Sequence, residues 1–395
     1  MIQLTGLSKT SNEHKIGRKM DKKKVLILGA GNSQIDAIEY CKAHDFFVAG
    51  CSYTNTDKGI PMLDDFRQAD IKDVDAVAKY ASDLNAAAVY SVGSDLAVPT
   101  VMRVSEMLGL PHFISYESAM LCHSKDLMRG ALGHGFEGNV DFMVCETIDE
   151  ALTYDAFPAM MKPVDSQGQR GCFKVSSKED IAEHFNSSLG YSVGGKVIIE
   201  SYIDGPEISV NAYRYNGETV FAVASDRESF AEYPGGLPKK HRIPSTFADE
   251  STQVTAIKVV DKAADALGIS DGPCYCQMKI GRDGRPYIIE ITPRLDGCHM
   301  WDLIKHWCGV DLLDACFRHL TDGDPGIKKD TKGNSGIWEL EFFSEKTGES
   351  FDPSKYEYAD AEKYVFYYEA GDTVSKVNGY FEKCGYMIRR IQTQN

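Results

Sequence analysis

The sequence predicts an α/β protein that opens on a doubly wound parallel-sheet domain and continues into two α+β regions, the later one built on antiparallel strands. Three observations predict it. Apolar strand runs alternate with helix-period segments at the start, a glycine-rich loop follows a strand that ends in lysine, and a hairpin pattern carries a carboxylate near residue 290. With 395 residues, 43% apolar and 26% charged, the chain is long enough for two or three packed domains. No apolar run approaches the roughly 18 to 20 residues of a membrane helix, and residues 1–20 lack the apolar stretch of a secretory signal, which predicts a cytoplasmic protein. A net charge of −15 argues against nucleic acid or an anionic membrane as the main partner. Eleven cysteines without a framework suit a reducing compartment. A homodimer remains open.

Residues 1–20 read as a polar, disordered leader. VLILGAG (25–31) is an apolar strand running into glycines, SQIDAIEYCKAHD follows with helical spacing, and FFVAGCSYT and AAAVYSVGSD add two strands, giving a parallel-sheet domain over residues 21–115. Residues 116–195 change character. SKDLMRGAL predicts a helix opened by Lys125, FPAMMKP a strand ending at Lys162, DSQGQRGCFKV a glycine loop, and SKEDIAEHF a helix. Residues 196–325 read as strands KVIIESYI, EISVNAYRY and ETVFAVAS, the helix TQVTAIKVVDKAADALG, and two strands around GRDG. In CYC, Cys274 and Cys276 share one strand face, which predicts core packing rather than a metal site. Residues 326–395 mix acidic and aromatic side chains without a readable motif; they either cover a substrate site or form a dimer contact.

GAGNSQ supplies Gly29, Gly31 and Asn32 but places Gln34 where a dinucleotide fingerprint has its third glycine, and the second strand ends in CSYTNT without an acidic residue for a ribose. That argues against a nicotinamide cofactor. The same loop can hold an anionic group of a substrate at a helix N-terminus. No GxxxxGK[ST] segment occurs, so a Walker-type ATPase is excluded.

Asp283-Gly284 predicts a two-residue type I′ turn. Counting outward sets Arg282 opposite Arg285, Ile280 opposite Tyr287, Met278 opposite Ile289 and Gln277 opposite Glu290, with Thr292 on the Glu290 face. Three oxygen-bearing side chains then converge as a hard cation such as Mg²⁺ requires. The alternative is an exposed Glu290 paired diagonally with Lys279. Lys162 stands before a loop with Gly168 and Gly171, which can fold over phosphates while the lysine supplies a point charge. Either Lys125 or Lys162 alone is more often a solvated surface charge. Glu200 and Glu207 flank an Asp-Gly-Pro turn and offer the backbone groups and carboxylate that recognition of an adenine and its ribose requires.

The segments SKDLMR (124–129), MKPVDSQGQRG (161–171), IIESYIDGPEISV (198–210) and QMKIGRDGRPYIIEITPRLDG (277–297) resemble the ATP-grasp superfamily. Among its members the chain is most similar to the carbamoyl phosphate synthetase large chain, biotin carboxylase and the purine-pathway carboxylate-amine ligases, over most of residues 20–320. The resemblance implies an ATP-grasp fold with residues 116–195 as its lid, and ATP with Mg²⁺ or Mn²⁺ as cofactors. It implies Lys125 and Lys162 on the phosphates, the loop from Ser166 through Gly168 to Gly171 closing over them, an adenine hinge of Glu200, Ser201, Tyr202 and Ile203, and Glu207 on the ribose. Gln277 and Glu290 would carry the metal, Thr292 stands where asparagine is common, which leaves a second ion less secure, and Arg294 would approach the transferred phosphoryl group.

The implied reaction activates a small carboxylate as an acyl phosphate and joins it to an amine, releasing ADP and phosphate. The acceptor is expected between Arg294, the N-terminal glycine turn and residues 225–246, where Arg227, His241 and Arg242 either meet a substrate anion or are hydrated loop charges. His299 either faces the site or caps the next helix. Carboxylation or phosphorylation would use the same ATP residues. An NAD(P)-dependent oxidoreductase and a binding protein without turnover are the rivals from other classes.

Overall fold

The computed structural model describes residues 22–230, 236–329, 331, 333–376 and 381–391. The expected leader at 1–20 lies outside them. The chain runs β1 (Lys24–Leu28), α1 (Asn32–Ala43), β2 (Phe47–Ser52), β3 (Asp65–Gln68), α2 (Val74–Leu84), β4 (Ala88–Tyr90) and α3 (Val98–Leu108). These four strands form one parallel sheet in the order β3-β2-β1-β4. Val25 to Leu28 are fully buried, as expected for a strand covered on both faces. β3, which the sequence reading did not identify, is a polar edge strand with no apolar run.

Next come α4 (Tyr116–His123), α5 (Lys125–Leu132), β5 (Phe142–Cys145), α6 (Ile148–Ala151), β6 (Ala159–Pro163), β7 (Phe173–Val175), α7 (Lys178–Leu189) and β8 (Val197–Ser201). The strands make a small antiparallel sheet, β5-β8-β6-β7, with its own core around Met161, Phe185 and Ile199. β8 therefore pairs with the strands before it. The chain passes from this sheet to the next in the five residues 202–206.

The remainder is β9 (Glu207–Tyr215), β10 (Glu218–Ser229), β11 (Pro238–Ile243), α8 (Glu250–Ala266), β12 (Gly272–Ile280), β13 (Pro286–Thr292), α9 (Met300–Cys308), α10 (Leu312–Asp322), β14 (Ile337–Lys346), β15 (Ala361–Phe366) and β16 (Phe381–Ile391). They build one eight-stranded antiparallel sheet, β13-β12-β9-β10-β11-β14-β16-β15. The strands from residue 337 onward thus extend the sheet that carries the hairpin. Cys274 and Cys276 are buried in its core.

The hairpin differs from its expected register. Met278 pairs with Ile288, Lys279 with Tyr287 and Ile280 with Pro286, so the pairs Ile280/Tyr287, Met278/Ile289 and Arg282/Arg285 are not formed. The loop is wider than two residues: the Gly281 N–H donates to the Arg285 carbonyl at 2.8 Å, and Asp283 accepts the Arg285 N–H and Nε. A register shift after Gln277 absorbs the offset by leaving Ile289 as an extra residue. Gln277 therefore does lie opposite Glu290. No helix among the described residues is long and apolar enough to cross a membrane.

Candidate active site

A narrow cleft between the sheets is lined by Asp95, His123, Lys125, Ser166, Gln167 and Glu290. Lys125 is the first residue of α5. Its N–H donates to the Val164 carbonyl at 2.9 Å, fixing the helix start against the end of β6, and its Nζ donates to the Ser166 carbonyl at 2.8 Å. The following loop turns through positive φ at Gly168, Gln169 and Gly171. At Gly171 a β-carbon would also fall 2.9 Å from the Tyr191 ring.

In the β6/β8 ladder Met160 faces Glu200, which puts Lys162, two residues on, along the same face. Lys162 Nζ lies 2.6 Å from one Glu200 oxygen and Arg129 Nε 2.9 Å from the other. All three side chains are buried. Burial alone would raise the Glu200 carboxyl, but Arg129 and Lys162 outweigh it and hold it at about 2. Burial pushes the Lys162 amine below its usual range; Arg129 and Lys125 add repulsion, and Glu200 opposes them. Two cations on one carboxylate, with Lys125 acting on Lys162, leave an excess of positive charge. A polyanion is the natural complement. Lys162, Lys125, Glu200 and Glu290 all act on the Cys172 sulfur, so the four charges converge on one locality.

Glu200 thus turns its carboxylate to the two cations, and beyond it the backbone of Ser201, Tyr202 and Ile203 forms the crossing between sheets. The Ser201 N–H donates to Asp141 O and the Tyr202 N–H to Pro158 O. Lys174 lies over the Tyr202 ring at 3.9 Å. Gly205 presses against the hairpin, where a β-carbon would meet the Ile280 carbonyl oxygen at 1.7 Å. Glu207 is the first residue of β9 and already accepts from Arg227 Nη1 at 2.7 Å and Gln277 Nε2 at 3.1 Å.

Because Gln277 donates its amide nitrogen to Glu207, its oxygen is left over. Lys279 lies 3.9 Å from Glu207, so the alternative of a Glu290–Lys279 pair is not what the structure shows. Thr292 is buried and its hydroxyl has no hydrogen-bond partner among the described residues. One amide oxygen, one carboxylate and one orphaned hydroxyl fit a hard divalent cation. Arg294 is gripped by Asp95, Nε to Oδ1 at 2.5 Å and Nη2 to Oδ2 at 2.6 Å.

The residues expected at the acceptor separate. Arg227 is paired with Glu207. His241 is fully buried, and burial with the Arg227 charge keeps its ring neutral, so it is no hydrated loop charge. Arg242, its neighbour in β11, points to the opposite face, donating to Glu228 and to Glu339. Strand alternation forbids the two from sharing a pocket. His299 occupies the N-cap position of α9 at φ 55° but makes no side-chain cap. Its ring bridges Asp36 Oδ2 of α1 at 2.9 Å and the Tyr367 hydroxyl at 2.7 Å. At the N-terminal turn, Gly29 has φ 88° and Gly31 caps α1 before Asn32. Gln34 folds back to accept the Gly31 N–H and donate to Val92 O, so that this N–H is already taken.

Sequence reasoning missed Arg129 and Asp95. Arg129 sits one turn after Lys125 in SKDLMR, a spacing that puts both on one helix face. Asp95 left no signal, because only the folded chain brings it to Arg294.

Residues 155–302 match the family model described as an ATP-grasp domain. The chain is similar to the D-alanine–D-alanine ligase of Flavobacterium johnsoniae, 27% identical over 203 residues, which are 47% of this chain and 60% of that protein. It spans less than two thirds of the first curated relatives it matches. Two solved structures share the fold. Phosphoribosylglycinamide synthetase from Anaerococcus prevotii aligns with a TM-score of 0.76 at 20% identity, covering 94% of this chain and 95% of that one. L-amino acid ligase from Bacillus licheniformis aligns with a TM-score of 0.74 at 17% identity, covering 93% of each.

Proposed function

We propose, on the premise that residues 155–302 belong to the ATP-grasp domain family, that this chain is an ATP-dependent ligase that activates a small carboxylate as an acyl phosphate and joins it to an amine. The observation that carries the reading is the meeting of Lys125, Ser166 and Glu290 in one cleft, with the Lys162–Glu200–Arg129 cluster beside it. Lys125 and Lys162 hold the phosphates, and the loop from Ser166 to Gly171 covers them. The backbone from Glu200 to Ile203 meets the adenine, and Glu207 meets the ribose.

Gln277, Glu290 and Thr292 are the residues that would hold magnesium or manganese, which would supply neutralisation of the polyphosphate charge. A carboxylate does not react with an amine directly, because its leaving group would be oxide. Attack of the substrate carboxylate on the γ-phosphorus forms the acyl phosphate and releases ADP; attack of the amine then expels phosphate. Arg294, in the loop after β13 and held by Asp95, offsets negative charge on the transferred group. A closed loop over the cleft keeps water from the acyl phosphate.

The names of the similar ligases support a carboxylate-amine reaction. Phosphate release from MgATP is measured against a panel of amino acids, sugar acids and small amines. The expected result is release that requires both a carboxylate and an amine. ADP release that requires bicarbonate would replace the ligase with a carboxylase, and release with a single acceptor and no free phosphate would replace it with a kinase.

A further inference from the structure

Away from the phosphate residues, β11 and the loop leaving β13 bring three metal-binding atoms together. A His241 ring nitrogen, an Asp296 carboxylate oxygen and the Cys298 sulfur lie within 4.8 Å of one another. Both His241 ring nitrogens and Asp296 Oδ2 are buried and lack a hydrogen-bond partner among the described residues. A buried polar atom left unpaired is destabilising. Three such atoms beside one thiol mark a place built for an occupant.

The loop is preset for it. Asp296 Oδ1 accepts the N–H groups of Cys298 at 2.8 Å and Met300 at 3.3 Å, which fixes the Cys298 backbone and leaves Oδ2 without a partner among the described residues. Burial keeps the His241 imidazole neutral, the form that binds metal. Binding of an ion to the Cys298 sulfur would release the thiol proton.

We propose that His241, Asp296 and Cys298 bind one zinc-type divalent ion, whose fourth tetrahedral position is open to water or to a donor atom of the acceptor substrate. One nitrogen, one thiolate and one carboxylate form a borderline-soft set that favours Zn²⁺ over Mg²⁺. The two anionic ligands neutralise the ion. That matters here, because Lys383 Nζ lies 3.6 Å from the Cys298 sulfur and Arg227 stands across from His241 in the β10/β11 ladder. Each of those cations has other company: Lys383 lies over the Phe342 ring at 3.7 Å, and Arg227 is paired with Glu207. Asp296 is two residues past Arg294, so the ion would stand at the acceptor end of the cleft. The site itself does not depend on the ligase reading.

The full-length protein is stripped with a chelator and titrated with Co²⁺, then with Zn²⁺ in competition. One equivalent is expected, with a near-ultraviolet thiolate-to-cobalt band that is absent in Cys298→Ser and retained in Cys308→Ser. Affinity falls at least about tenfold in His241→Gln and in Asp296→Asn. Because a misfolded variant would also lose the band, alkylation of Cys298 is followed by peptide mass in the wild-type chain, where Zn²⁺ slows it and acetate or inorganic phosphate does not. A band that survives Cys298→Ser overturns the proposal. So does protection of Cys298 by acetate or phosphate alone, which would assign the unpaired atoms to an anion held by Lys383 and Arg227.

Discussion

Arg294 and Asp95, 199 residues apart in the chain, face each other through two parallel hydrogen bonds of 2.5 and 2.6 Å. The pair joins the end of the parallel sheet to the loop that leaves the hairpin, where Gly93 also packs against Gly297. Only a planar guanidinium matches a carboxylate this way. Arg294→Lys is expected to lower the rate of acyl-phosphate formation by about 10²–10³ while leaving ATP affinity within a few-fold. Single-turnover kinetics beside equilibrium nucleotide binding separates the two. Asp95→Asn leaves a buried guanidinium without its anion and should reduce unfolding free energy by about 2 kcal/mol in urea titration, less than for a fully buried pair because Asp95 is partly exposed.

Glu200 gives the pH dependence. Its carboxyl titrates at about 2 in the folded protein against 4.5 as the ordinary value, because Arg129 and Lys162 overcome the effect of burial. The folded value is the lower one, so its contribution is fully present above pH 4.5 and is lost as the pH falls toward 2. The contribution is about 3 kcal/mol. Urea midpoints at pH 7 and pH 3 should show the wild type losing stability that Glu200→Gln lacks at both. ATP or tripolyphosphate should restore part of it in the variant, since a polyanion can take the place of the missing charge.

Glu290→Gln tests the cation. Phosphate release should fall by at least about 10². The melting temperature should change by no more than about 2 °C, since the Glu290 carboxylate lines the cleft rather than an ion pair. Loss of fold in this variant, read by circular dichroism, would contradict the role.

Gly205→Ala addresses the crossing between the sheets. Its added methyl would overlap the Ile280 carbonyl, and backbone cannot swing aside as a flexible side chain does. A loss of about 2–3 kcal/mol in stability is expected, with weaker ATP binding measured by calorimetry. Full stability would mean that the hinge and the hairpin separate freely.

Gln34→Gly completes the glycine fingerprint, yet nicotinamide binding should not appear, because β2 ends without an acidic residue for a ribose. The variant should instead lose about 1 kcal/mol with the buried bond to Val92 O. NADH fluorescence titration of both proteins checks this.

The strands and helices that carry their own period, from Val25–Leu28 to the hairpin, were legible in order, whereas β3 and the strands from residue 337 onward were not. The Gln277/Glu290 pairing was reached by a count that misjudged the turn: Asp283-Gly284 looks like a two-residue turn, while Asp283 side-chain bonds close a wider loop and the extra Ile289 restores the alignment. Arg242 and His241 were grouped although alternation alone separates them. Asp95 and the orphaned Asp296 oxygen could not be read, because their meaning comes from partners brought near only by folding, whereas Arg129 was overlooked although its helical spacing from Lys125 marks it. The small edge strand β3 owes its place to pairing with β2 rather than to composition.

β11 hydrogen-bonds on its far side to β14, with His241 opposite Leu340 and Arg242 opposite Glu339, nearly a hundred residues later. While the chain is being synthesised, that edge of the sheet stays unsatisfied until the closing strands have left the ribosome. An open edge invites pairing with another nascent copy. Chaperone demand for this protein should therefore peak late in translation, and ribosome-bound fragments stopped before residue 337 should be the species that aggregate.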